Sequence, residues 1–137
     1  YCPMELGMRL YFEATARVHP ELRNYSAVFD GDIPGWDHPG TFHSSDLWFV
    51  FESLASCWRP FTGKHYDLAR KICNYVSNFI KSGDPNGMDV DGTPLPEWKD
   101  YNVCKGQMQY GDICKQMGDH SISPVMEFLT DYYLPKS

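Results

Sequence analysis

The chain reads as an α/β protein, mostly helical, with one or two strands. Three observations predict this. Leu68, Ile72, Val76 and Ile80 repeat every four residues, with Tyr75 and Phe79 alongside, which marks a long amphipathic helix. Tyr25-Ser26-Ala27-Val28-Phe29-Asp30 is a short run rich in Tyr, Val and Phe, as a buried strand requires. Directly after it, Gly31 to Gly40 is a loop studded with Pro34, Gly35 and Pro39. Open α/β sheets build their sites in such loops, at strand C-termini.

The remaining elements follow in order. Met4, Met8, Tyr11, Phe12 and Thr15 give a helix from Met4 to Arg17 its apolar stripe. Ser44 or Ser45 is placed to cap a helix running from Asp46 to about Ser56. Its apolar residues are Leu47, Trp48, Val50, Phe51 and Leu54, and Trp58-Arg59-Pro60-Phe61-Thr62-Gly63 breaks it. Gly83, with Asp84-Pro85 behind it, ends the long helix. Asp84 to Pro96 is rich in turns. Met108 and Tyr110 suit a short edge strand ending at Gly111. Ser123-Pro124 is an N-cap followed by Pro at the first helical position. Val125, Phe128, Leu129, Tyr132 and Tyr133 then form the apolar face of a last helix.

Composition narrows the classes. A chain of 137 residues with 42% hydrophobic and 22% charged residues suits one globular core. A net charge of −6 and no basic stripe argue against a nucleic-acid partner. No apolar run approaches a membrane span, so no membrane association is expected. The five cysteines form no C-x-x-C pair. Cys57 and Cys73 fall in apolar helical patterns and read as buried thiols. This favours a reducing, cytoplasmic setting, with one or two disulfides left open. The chain opens Tyr1-Cys2-Pro3, without an initiator Met, and reads as a piece of a longer protein.

Four groups of residues offer chemistry. His43 sits between a glycine-rich loop and a helix, with Asp46 three residues on. An imidazole there suits general-base work, although a lone loop His is more often simply exposed. Asp30, Asp32, Asp37, His38, His43 and Asp46 are ligand types, but they lack metal-site spacing, and solvated carboxylates is the preferred reading. Asp84 to Gly92 resembles a calcium loop only superficially. Counting from Asp84 puts Met88 at the fifth ligand position, and the register set by Gly92 puts Gly87 first. Of the aromatics, Phe49 and Phe51 read as core, whereas Trp36 and Phe42 flank the His43 loop and suit either packing or a substrate pocket.

Gly40-Thr41-Phe42-His43-Ser44-Ser45-Asp46-Leu47-Trp48-Phe49-Val50-Phe51 resembles the catalytic-histidine segment of type B carboxylesterases and cholinesterases, which are α/β-hydrolases. Neighbouring segments resemble the same family in the same order. They are the strand Tyr25 to Phe29 with Pro34-Gly35, the helix Ala69 to Phe79 with Gly83-Asp84-Pro85-Asn86, and Leu95-Pro96-Glu97-Trp98-Lys99-Asp100-Tyr101. The resemblance implies that residues 1–137 are the C-terminal part of one α/β-hydrolase catalytic domain, whose strands complete a larger central sheet. It implies carboxylic-ester hydrolysis through a serine acyl-enzyme, without a cofactor. His43 would be the catalytic base, Asp46 a supporting carboxylate behind it, and Trp36 and Phe42 substrate-binding.

No Ser in the chain lies in G-x-S-x-G, the elbow that presents the nucleophile in this class. The nucleophile, the triad acid and the oxyanion glycines are therefore expected upstream in the same protein, and the fragment alone is expected to be inactive. Its unpaired strand edges favour that upstream part as partner, or self-association. The alternatives are a non-catalytic, cholinesterase-like binding protein and an autonomous domain.

Overall fold

A computed structural model describes residues 3–118 and 123–134. The chain divides into two compact units. One comprises Ala27–Trp98 and Met108–Gln116, the other Tyr1–Ser26, Lys99–Gln107 and Met117–Ser137.

In the first unit, β1 (Ala27–Phe29) pairs in parallel with β2 (Met108–Tyr110), and β2 pairs antiparallel with β3 (Cys114–Gln116). The order β1-β2-β3 puts Met108 and Tyr110 at the centre of the sheet and not at its edge. The reason is β3, which folds back through Gly111-Asp112-Ile113 and occupies the far side of β2. On the sheet packs α3 (Gly63–Ser82). Thr62 opens this helix by donating its N–H to His65 Nδ1 at 2.9 Å. Gly83 closes it at φ 75, a left-handed conformation that costs glycine little. Leu68, Ile72 and Tyr75 are buried with Ile33, Phe49, Leu54, Met108 and Tyr110. The four-residue stripe outlasts its packing partners, and Ile80 is exposed.

The segment before α3 departs from expectation. Helix α2 covers only Leu47–Val50, and Leu54–Ser56 is a separate 3-10 turn. Glu52 at φ 48 breaks the run between them. Neither Ser44 nor Ser45 caps α2. Asp46 holds the N-cap position, and the Ser45 hydroxyl is turned inward to donate to the Phe42 carbonyl at 2.7 Å.

The second unit contains α1 (Pro3–Val18), α4 (Tyr101–Cys104) and α5 (Pro124–Tyr133). The expected stripe of α1 holds in part, since Met8, Phe12 and Thr15 are half-buried, but Met4 and Tyr11 are exposed while Leu6 and Arg9 are buried. Buried Arg9 donates from Nη1 to Tyr101 Oη at 3.0 Å and has Glu5 Oε1 3.5 Å from its Nε, while its Nη2 is buried without a hydrogen-bond partner. The α5 start is as predicted, with Ser123 Oγ accepting from Met126 N–H at 3.3 Å and Pro124 in the first turn. Its buried residue is Met126, however. Val125, Phe128, Tyr132 and Tyr133 are exposed and Leu129 is half-buried, so the described residues leave the larger apolar face uncovered.

Cys57 and Cys73 are half-buried, and among the described residues the fully buried thiol is Cys114. No described helix is long and apolar enough to cross a membrane.

Candidate active site

Pairing β1 in parallel with β2 brings two chain exits together. Residues 30–32 leave β1 where 111–113 leave β2, and Asp30 N–H donates to the Tyr110 carbonyl at 2.8 Å. Around these exits lies an open depression of about 600 Å3, lined among others by Asp30, Asp32, Gly40, Thr41, Asp112 and Lys115. The loop returns to its root when Thr41 Oγ1 donates to the Gly31 carbonyl at 3.1 Å. His43 comes two residues later, in the turn that leads into α2, and its side chain is exposed.

Phe42 has a defined seat beside it. The Phe42 ring meets Trp48 edge-on at 5.9 Å, and Ser45 Oγ binds both its backbone carbonyl and its N–H. The Arg59 guanidinium lies 5.7 Å from the Phe42 centroid and 4.6 Å from that of Trp58. Arg59 also reaches the start of the loop. Its Nη1 donates to the Pro34 carbonyl at 2.9 Å and to Asp37 Oδ1 at 3.0 Å, and Nη2 donates to Asp37 Oδ2 at 2.9 Å. This forked hydrogen bond holds the Asp37 carboxyl below its usual range.

The expected site residues separate into two groups. His43, Phe42 and Asp46 share one loop and turn, though no hydrogen bond joins Asp46 to the imidazole, and the half-buried Asp46 makes no side-chain cap bond. Trp36 stands away from the packed residues, 82% exposed. Phe49 is core as expected, meeting Phe29 at 4.8 Å and Phe61 at 5.7 Å. Phe51 is not, because it sits at the C-cap of α2 and is exposed.

The loop carboxylates Asp30, Asp32 and Asp37 are exposed to solvent, as expected, and each also has a partner. Asp30 accepts from Gln109 at 2.8 Å, Asp32 from Lys64 at 3.2 Å, and Asp37 from Arg59. Lys64 also reaches Asp112 at 3.3 Å, and the hydrogen bond to Asp32 is the larger cause that raises its pKa. Among the described residues no three His, Cys, Asp or Glu side chains converge as metal ligands. In the calcium-like stretch each carboxylate serves the fold. Asp84 accepts from Asn86 N–H, Asp91 from Thr93, and Asp89 from Arg70. Sequence reasoning missed Arg59, which it took only as part of a helix break. The available signal was an Arg between Trp58 and Pro60, outside any helix, where a planar cation can stack.

Comparison with known proteins supplies the wider setting. The model of the carboxylesterase family matches residues 6–127. A secreted triacylglycerol lipase of Gibberella zeae is 30% identical over 97 residues, which is 71% of this chain and 15% of the lipase. The acetylcholinesterase of Gallus gallus is 34% identical over 68 residues, covering 50% of this chain and 8% of that protein. Among solved structures, an esterase of the anaerobe Clostridium hathewayi, reported to hydrolyse aliphatic aromatic polyesters, superposes with a TM-score of 0.60. It is 22% identical, over 82% of this chain and 20% of its own. A carboxylesterase of Geobacillus stearothermophilus gives 0.54 at 24% identity, over 77% and 22%. These two likenesses concern the fold, which is that of a portion of an α/β-hydrolase. The chain spans less than a quarter of each of these relatives.

Proposed function

The chain belongs to the carboxylesterase family, and on that premise we propose that the protein containing it hydrolyses carboxylic esters through a serine acyl-enzyme, with His43 as the proton carrier. One observation carries this reading. The imidazole stands exposed in the loop that follows the parallel strand β1, at the C-terminal end where α/β sheets open their sites.

A serine hydroxyl outside this chain attacks the ester carbonyl while His43 accepts its proton. The resulting imidazolium protonates the departing alcohol. Water then attacks the acyl-enzyme, with His43 again as base, and the acid is released. Backbone N–H groups elsewhere in the protein hold the oxyanion, and a carboxylate elsewhere orients the ring. Asp46 is a supporting carboxylate and not the triad acid in this scheme, a reading consistent with its lack of a bond to the imidazole. Phe42 and Trp36 contact the acyl or alcohol group. Residues 1–137 act as one part of a single catalytic domain, and the unpaired side of β1 takes its neighbour from the rest of the protein.

The test is His43→Ala in the full-length protein. Its kcat for a p-nitrophenyl ester should fall on the order of ten-thousand-fold, and the isolated 137-residue fragment should turn over none. Near-normal kcat in the variant would overturn the reading and favour a binding protein that hydrolyses nothing.

A further inference from the structure

We propose that Arg59 and Asp37 are positioning residues that hold the His43 loop in its working shape. The inference rests on the functional reading of His43, and its observations are independent of that reading.

The loop needs holding. His38, Gly40 and Ser44 have φ of 44°, 61° and 67°, so the backbone turns left-handed three times within seven residues, and His43 lies between two of these turns. Non-glycine residues at such angles persist only where surrounding contacts over-determine them. Arg59 provides contacts at both ends of the strained stretch. Its fork grips Pro34 and Asp37 before the first left-handed residue. Its guanidinium carbon stands over the ring of Phe42, the residue immediately before His43, 5.7 Å from the centroid. One planar group thus ties the entry of the loop to its exit.

One partner of this contact is covered and the other is open to solvent. The Arg59 side chain is only 8% exposed, and its Nε is buried without a hydrogen-bond partner. A covered guanidinium with an unmet donor costs the fold stability, so the three hydrogen bonds that Arg59 does make, all to residues 34–37, act chiefly on the shape of the loop. Gly35 completes the arrangement. A Cβ there would collide with Asp37 Oδ1 and Arg59 Nη1, so the clamp closes only over a glycine.

The mechanism makes the loop's shape matter. His43 serves a nucleophile and a leaving group that other parts of the protein hold in place, so displacement of its backbone impairs proton transfer more than it disturbs the neighbouring substrate contact of Phe42. The expected signature is therefore in kcat more than in KM.

The experiment uses the full-length protein, with rates divided by the folded fraction from circular dichroism. Arg59→Met, Asp37→Asn and Gly35→Ala should each lower kcat for p-nitrophenyl and alkyl esters by about 10- to 100-fold, with little change in KM. Asp37→Asn added to Arg59→Met should cost nothing further, because the clamp is already open. Arg59→Lys keeps the charge but loses the fork, so it should fall between wild type and Arg59→Met. If Arg59→Met fails to fold, Asp37→Asn and Gly35→Ala decide the matter. A kcat within about twofold of wild type in the folded variants, beside an inactive His43→Ala, would overturn the clamp and leave the functional reading standing. A fully active His43→Ala would overturn both.

Discussion

Two arginine–aspartate pairs brace the sheet-bearing unit, and they bury opposite partners. At Asp89 the carboxylate is inside, with its side chain 3% exposed, while Arg70 is 29% exposed. At Arg59 the guanidinium is inside and Asp37 is the outer partner. Asp89 is saturated, accepting from Arg70 Nε and Nη2, Asn74 Nδ2 and the Val90 N–H, all between 2.8 and 3.1 Å. Arg59 makes three bonds, all to the segment before His43, and leaves Nε unmet. The difference separates two uses of one chemistry. A saturated knot fixes the turn-rich connection 84–96 against α3. The half-saturated clamp trades stability for the shape of a loop.

Arg70→Met should break the contrast most sharply. It leaves the Asp89 charge buried with only neutral donors, and urea denaturation should show a loss of about 3 kcal/mol. Activity per folded molecule should stay near wild type, the reverse of the pattern expected at Arg59. Equal kcat losses at both arginines would erase the distinction.

Titration sharpens the same point. The Arg70 hydrogen bonds hold the folded pKa of Asp89 below that of a free carboxyl. Its stabilisation is therefore fully present above the unfolded value, about 4, and disappears as pH falls through the depressed folded value. Stability measured against pH should decline in that acid window, and Arg70→Met should flatten the decline. An unchanged slope in the variant would show that other carboxylates dominate.

The smallest effect is expected at Tyr110. Its hydroxyl is buried without a partner, as Arg59 Nε is, and burial raises the pKa of the phenol. Tyr110→Phe should change stability by no more than about 0.5 kcal/mol. A larger loss would reveal a hydrogen bond to that hydroxyl.

How legible these regions were in the sequence follows from the range of their contacts. Helix α3 was readable because its repeat and its Gly83 stop are local. The Ser123-Pro124 start of α5 was readable for the same reason. Strand β3 was not, since Cys114-Lys115-Gln116 carries no apolar alternation and owes its form to pairing with β2. The buried face of α1 was hidden because Arg9 is accommodated by Tyr101, 92 positions away. At the site, the His43 motif is contiguous and could be found. The Arg59–Asp37 fork spans 22 positions and joins residue types that are individually ordinary. The early end of α2 lay beyond pattern as well, because nothing in Phe51-Glu52-Ser53 announces a left-handed Glu.

The parallel pairing of β1 with β2 sets an order of events as the chain emerges from the ribosome. Asp30, just past β1, and Gln109, in the middle of β2, are 79 positions apart, whereas the fork closes over 22. Short closures cost less chain entropy and form sooner. The His43 loop is therefore shaped first, against Arg59 and the beginning of α3. The pairing of β1 with β2 must wait for residues 108–110, so the floor under the loop is expected to close after the loop's own short-range contacts.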